Sequence, residues 1–162
     1  MTFAQYSQWI NSGRRTLQQE AGALDLLFEL DPTSRISPPP WRMEWIVAFS
    51  DGKYIRLCEN YYRAKVLKGD GYRAQFSFHY GAMPSKKDLR GLPEYHHSEP
   101  VDLRIDLLKS AHLHYLGPDH IDQSQISGLN IATYDLFDFL EKVKEHRATG
   151  RPLNETFGFT VL

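Results

Sequence analysis

At 162 residues the chain is long enough for one well-packed core and short for two ordinary domains, and a domain of this size buries roughly 68–70% of its unfolded surface. A net charge of −1 with 24% charged residues excludes a chain-wide attraction for nucleic acid, so any such site is a local patch. The single cysteine, Cys58, excludes an intrachain disulfide and reads as a buried, inert thiol. No charged leader precedes an apolar run, and nothing approaches the ~18 apolar residues of a membrane span. The expectation is one soluble, cytoplasmic α+β domain over residues 1–162. Its core is a mainly antiparallel β-meander, packed on one face by N-terminal and C-terminal helices.

From Thr2 to about Leu30 the spacing of Phe3, Tyr6, Trp9, Ile10, Leu17, Leu24, Leu27 and Phe28 predicts helix, with Thr2 as cap and Gly13 or Gly22 as breaks. Asp31 to Pro40 ends in three prolines and reads as an extended connector. Trp41 to Phe49 and Lys53 to Leu57 flank Asp51-Gly52, a hairpin signal. Tyr61 to Leu67 and Tyr72 to Tyr80 flank a second turn at Asp70-Gly71. A polar loop follows from Gly81 to Pro100.

Val101 to Leu108 and Ala111 to Leu116 read as two strands or one bent strand, and Gly117 to Leu129 as a loop. Thr133 is the predicted cap of a helix with Leu136, Phe139, Leu140 and Val143 on its apolar stripe. Lys142, Lys144, His146 and Arg147 load its last turns, and Gly150 ends it. Phe157, Phe159 and Val161 alternate as a final strand.

Because strand side chains alternate between faces, each strand divides into two rows. One row holds Phe76, Phe78, Leu103, Ile105 and Leu113. The other holds Arg73, Gln75, Ser77, His79, Arg104, Asp106, His112 and His114. A solvated sheet face gives the same alternation with no function attached. The residue types, however, suit phosphate contact and proton transfer near neutral pH. In an active site Arg104, Asp106, His112 and His114 are the catalytic candidates and Arg73 and His79 the substrate-binding ones.

The His112-x-His114 pair also suits a transition metal. Asp106 is then the nearest third ligand in sequence, with His79, His96, His97 and His120 as others. There is no P-loop, Gly-x-Gly-x-x-Gly, nucleophile elbow or Cys-x-x-Cys.

The meander, the strand ending Phe78-His79-Tyr80, the step Arg104-Ile105-Asp106, the segment His112-Leu113-His114 and the helix from Asp135 to Val143 resemble the TumE family of bacterial toxin-antitoxin toxins over residues 41–145. The resemblance implies a small toxin that acts on RNA and is held inactive by a cognate antitoxin. The residues are compatible with that expectation as a metal-independent ribonuclease without cofactor, in which His112 and His114 could share the proton transfers, Arg104 could hold phosphate and Asp106 could orient a histidine. Two other readings stand beside it. One is a metal-dependent hydrolase with a divalent ion at His112 and His114. The other is a non-enzymatic interaction protein, such as an antitoxin, immunity protein or inhibitor.

Overall fold

The structure, a computed structural model, describes residues 3–32, 41–63, 71–83 and 101–162, with backbone only at 20–21, 32, 61–63 and 71–74. The chain opens with helix α1 (Phe3–Ala21) and continues through β1 (Leu24–Pro32), β2 (Trp41–Ala48), β3 (Lys53–Arg63), β4 (Gly71–Ala82), β5 (Leu103–Leu107), β6 (Ala111–Tyr115) and the two-residue β7 (Ile121–Asp122). These seven strands form one antiparallel sheet in chain order. Helices α2 (Leu136–Thr149) and α3 (Leu153–Phe157) follow, and β8 (Ile126–Ser127) pairs with β9 (Thr160–Val161) in a small second sheet. The α+β architecture with helices at both ends of a meander is as the pattern predicts.

Several boundaries differ from the sequence expectation, most of them for a local reason. The first helix stops at Ala21, where Gly22 takes φ +60, and residues 24–32 pair with β2 as a strand. An irregularity between Asp25 and Leu27 shifts the strand's phase, so its apolar residues imitate helical spacing. Lys53 to Leu57 and Tyr61 to Leu67 are not separate strands, because β3 runs unbroken to Arg63. Its polar middle misleads: Glu59 is buried on the core side and accepts a 2.6 Å hydrogen bond from Tyr6 Oη.

At the C-terminal helix the cap is Asp135, not Thr133; its Oδ1 accepts from the Phe137 amide at 2.7 Å, satisfying an orphan N–H of the first turn. Phe157 belongs to α3, which ends at Gly158 with φ +75, so the last strand is only Thr160–Val161. Within the stretch expected as a loop after Gly117, β7 and β8 form short pairings. The Asp51-Gly52 turn is present, with Gly52 at φ +85 and the Phe49 amide donating to Lys53 O at 2.9 Å. Asp70, His96, His97 and the loop from residue 84 to 100 lie outside the described residues, as does the connector beyond Pro32.

One face of the sheet packs on the helices. Phe76, Phe78, Leu103, Ile105 and Leu113 are buried there with Leu136, Phe139, Leu140 and Val143 of α2, as predicted. From α1, Tyr6, Ile10 and Leu17 join the same core. Trp9 meets Phe137 edge-on at 4.2 Å, and Gly13 permits that approach, since a Cβ there would overlap the Phe137 ring. Among the described residues no helix is long and apolar enough to cross a membrane.

Candidate functional site

On the opposite face, antiparallel pairing fixes two rows of polar side chains across the strands. One runs Cys58, Ser77, Asp106, His112, Asp122; the next runs Arg56, His79, Arg104, His114. Directly paired residues share a face, so this register alone brings together groups far apart in sequence.

The face is not a solvated one at its centre. Arg104 is 4%, Asp106 0%, His112 8% and His114 7% exposed. Buried ionisable groups are costly unless paired, and these four are paired with one another. Asp106 is the hub: its Oδ1 accepts from Ser77 Oγ at 2.6 Å and from Arg104 Nε at 3.0 Å. Its Oδ2 lies 2.8 Å from Arg104 Nε, 3.2 Å from His112 Nε2 and 3.8 Å from His114 Nε2. Among the described residues, no donor is aligned on Oδ2 as a hydrogen bond requires.

The other nitrogen of each imidazole faces a backbone carbonyl. His112 Nδ1 is 3.1 Å from Ser110 O, and His114 Nδ1 is 3.0 Å from Pro118 O. A carbonyl oxygen can only accept, so both Nδ1 atoms carry the proton. In the neutral rings, both Nε2 atoms are then lone pairs directed toward a carboxylate oxygen. Arg104 Nε, 2.8 Å from Oδ2, already sets one positive charge against the carboxylate, and a proton or a further cation between Oδ2 and the two Nε2 atoms would relieve the rest of the crowding.

The titrations respond to the same crowding. Burial works to raise the Asp106 carboxyl, but the proximity of His112, the Arg104 charge and the Ser77 hydroxyl outweigh it and hold the group down to about 2. The adjacent Asp106 raises His112, whereas burial lowers His114. Cys58, on the same row, is pushed up to about 11 by burial and is no thiolate at neutral pH.

His120 completes the cluster from just before β7. Its ring stacks on His112 with centroids 3.9 Å apart and stands edge-on to His114 at 5.9 Å. Nitrogen atoms of His112, His114 and His120 all lie within 4.8 Å of one another. Unlike the other two it is exposed, at 48% of its side chain, and its Nε2 is 2.8 Å from Asp122 Oδ1.

The structure thus converges all four catalytic candidates of the sequence on one point. It places Arg104 against Asp106 within the fold. His79 is buried in the neighbouring row, with its Nδ1 3.2 Å from Tyr54 Oη. Arg73 lies on β4 opposite Tyr61, and its side chain is outside the described residues. Ser77 was visible only as a member of the polar row; its hold on Asp106 follows once Ser77, Asp106 and His112 are known to be cross-strand neighbours. Searches of family models, curated proteins and solved structures found no match to this chain.

Proposed function

We propose that the chain is a metal-dependent hydrolase whose divalent ion is held by His112 Nε2, His114 Nε2 and Asp106 Oδ2. The observation that carries this reading is the pair of imidazoles with Nδ1–H committed to backbone carbonyls and Nε2 turned toward a buried carboxylate oxygen that is ion-paired with Arg104 but, among the described residues, accepts no aligned hydrogen bond. Metal-ligating histidines are oriented in this way by their second nitrogen, and ligating carboxylates by further hydrogen bonds such as those from Ser77 and Arg104. Bonds of about 2.0–2.1 Å in a tetrahedral arrangement put donors roughly 3.3 Å apart. The separations of 3.2 and 3.8 Å bracket that value. An ion held by three protein donors keeps a position for water, which it activates as a nucleophile near neutral pH.

RNA is the first substrate to test, because the Arg-x-Asp step and the His-x-His segment carry the resemblance to the TumE toxins; a cognate antitoxin would be the protein partner. The metal-independent ribonuclease is the second reading, and one observation favours it: His112 is raised and His114 lowered, which suits an acid and a base. Its geometry is less favourable, since every nitrogen of the two rings already faces a protein oxygen.

The deciding experiment strips the protein with chelator, titrates zinc, manganese and cobalt against a competing indicator, and assays RNA cleavage with and without each ion. The metal reading expects one ion per chain, cleavage only with the ion, and loss of both in His114→Ala. Cleavage that persists in chelator supports the acid-base reading instead. Neither metal binding nor cleavage, beside tight binding of a protein partner, supports the interaction protein.

A further inference from the structure

The two margins of the seven-stranded sheet differ in length. At one, β7 is only Ile121–Asp122; at the other, β1 runs from Leu24 to Pro32 and is paired on one side alone, with β2. A marginal strand leaves alternate N–H and C=O groups without a ladder partner. Among the described residues no backbone hydrogen bond closes this margin. Proteins commonly blunt such an edge with Lys, Pro or a bulge. In β1 the irregularity lies near the start, between Asp25 and Leu27, and from Leu27 to Asp31 the register is regular with neither Lys nor Pro. The side chains there combine apolar surface with one sign of charge. Leu24 is 65% and Leu26 42% exposed, and Glu29 and Asp31 are exposed with them. The cations nearest along the ladder, Arg42 and Arg56, are directed to Glu44. Among the described residues, Glu29 and Asp31 therefore have no ion-pair partner.

We infer that β1 is a docking edge that takes up an extended, basic segment of a partner protein as a further strand of the sheet. In this mode the main chain supplies affinity and alternate side chains supply selectivity. Glu29 and Asp31 stand two residues apart on one face of the strand, so a partner with Lys or Arg at positions i and i+2 sets a cation opposite each. Apolar residues further along the same segment then cover Leu24 and Leu26. A second copy of this chain is a poor occupant. Antiparallel pairing of β1 with itself centred on Glu29 or Leu30 places Glu29 opposite Glu29 or Asp31 of the mate, and like charges directly opposite destabilise a ladder. The edge is four strands from β5, roughly 19 Å at the usual strand spacing, so docking there is independent of the chemistry at Asp106.

The test follows amide hydrogen exchange by NMR on the full chain, alone and with a capped peptide of alternating Val and Thr that carries a central Lys-Thr-Lys. The same peptide with Glu in place of both Lys is the control. In the free protein, alternate amides from Leu27 to Asp31 should exchange rapidly while their neighbours, bonded to β2, exchange slowly. Slow exchange at all of them would mean that the edge is already covered, and would overturn the inference. The Lys peptide should slow the fast amides, and the Glu peptide should bind about tenfold more weakly, because two cross-strand pairs change from attraction to repulsion. In the double variant Glu29→Lys, Asp31→Lys, verified as folded by circular dichroism, the preference should reverse. A Lys peptide that slows no amide of β1, or that binds wild type and the double variant equally, overturns the inference. Protection of the fast amides that appears with rising protein concentration alone, as the chain dimerises, assigns the edge to self-pairing and also overturns it.

Discussion

Asp106 holds the site together through four contacts, and each has a measurable counterpart. Replacing it with Ala would leave the Arg104 guanidinium, 4% exposed, without its partner. Breaking a buried ion pair in this way costs on the order of 3–5 kcal/mol, which urea denaturation would register. The pH dependence of chelator-treated protein carries a second signature. The Asp106 carboxyl is depressed from 3.8 to about 2, so its contribution to stability is present above pH 4 and disappears as pH falls toward 2. His112 is raised, so its contribution is present below its ordinary value of 6.5 and is lost as pH rises through its folded value. His114 is lowered and acts in the opposite sense, with stability lost as pH falls. The stability difference between wild type and Asp106→Asn should therefore shrink between pH 4 and 2. A difference that stays constant over that interval would contradict the role assigned to the carboxylate.

The elements differ in how much of them could be read from residues alone. The C-terminal helix was legible because Leu136, Phe139, Leu140 and Val143 keep one stripe, and all four are buried. Phe139 lies between Phe78 and Phe157, with ring centroids 5.6 and 5.5 Å away. Phe139→Ala should cost about 3–5 kcal/mol; a loss within error would mean the helix is wrongly faced. Its start was misread, since Thr133 and Asp135 are both good caps by residue type, and only the hydrogen bonds to Asp135 decide between them. Asp135→Ala should cost about 0.5–2 kcal/mol, and Thr133→Ala, at an exposed position, about 0.5 or less. Strand β1 was hidden for a different reason. Its irregularity at Asp25 moves Phe28 and Leu30 onto the core side, and Leu24, Leu27 and Phe28 then follow the i, i+3, i+4 pattern that defines a helix face. Asp25 itself ties the two elements together, accepting from Arg14 of α1 and from Trp45 Nε1 of β2, contacts that periodicity cannot reveal.

Across the whole molecule, the meander in chain order decides what meets what. Period-two alternation was enough to separate Phe76, Phe78, Leu103, Ile105 and Leu113 from Ser77, His79, Arg104, Asp106, His112 and His114, because a strand offers only two faces. Alternation could not tell a solvated polar face from a buried one, and here the polar row is enclosed. Nor could it supply the register that sets Asp106 between Ser77 and His112, or the turn after Tyr115 that returns His120 to the cluster. A bound ion should stabilise the assembly as a whole. At a free concentration 100 times Kd the gain is about 2.7 kcal/mol. For a domain of this length that raises the melting temperature by roughly 5–11 °C.

Nitrogen-15 NMR of the histidine side chains tests the metal centre most directly, because it reports each ring nitrogen separately. In chelator-stripped protein His112 and His114 should show protonated Nδ1 atoms, matching their contacts with Ser110 O and Pro118 O. One equivalent of zinc should then shift the Nε2 resonances of both rings while their Nδ1 protons remain. Nε2 resonances of His112 and His114 that do not move on addition of zinc would contradict the account.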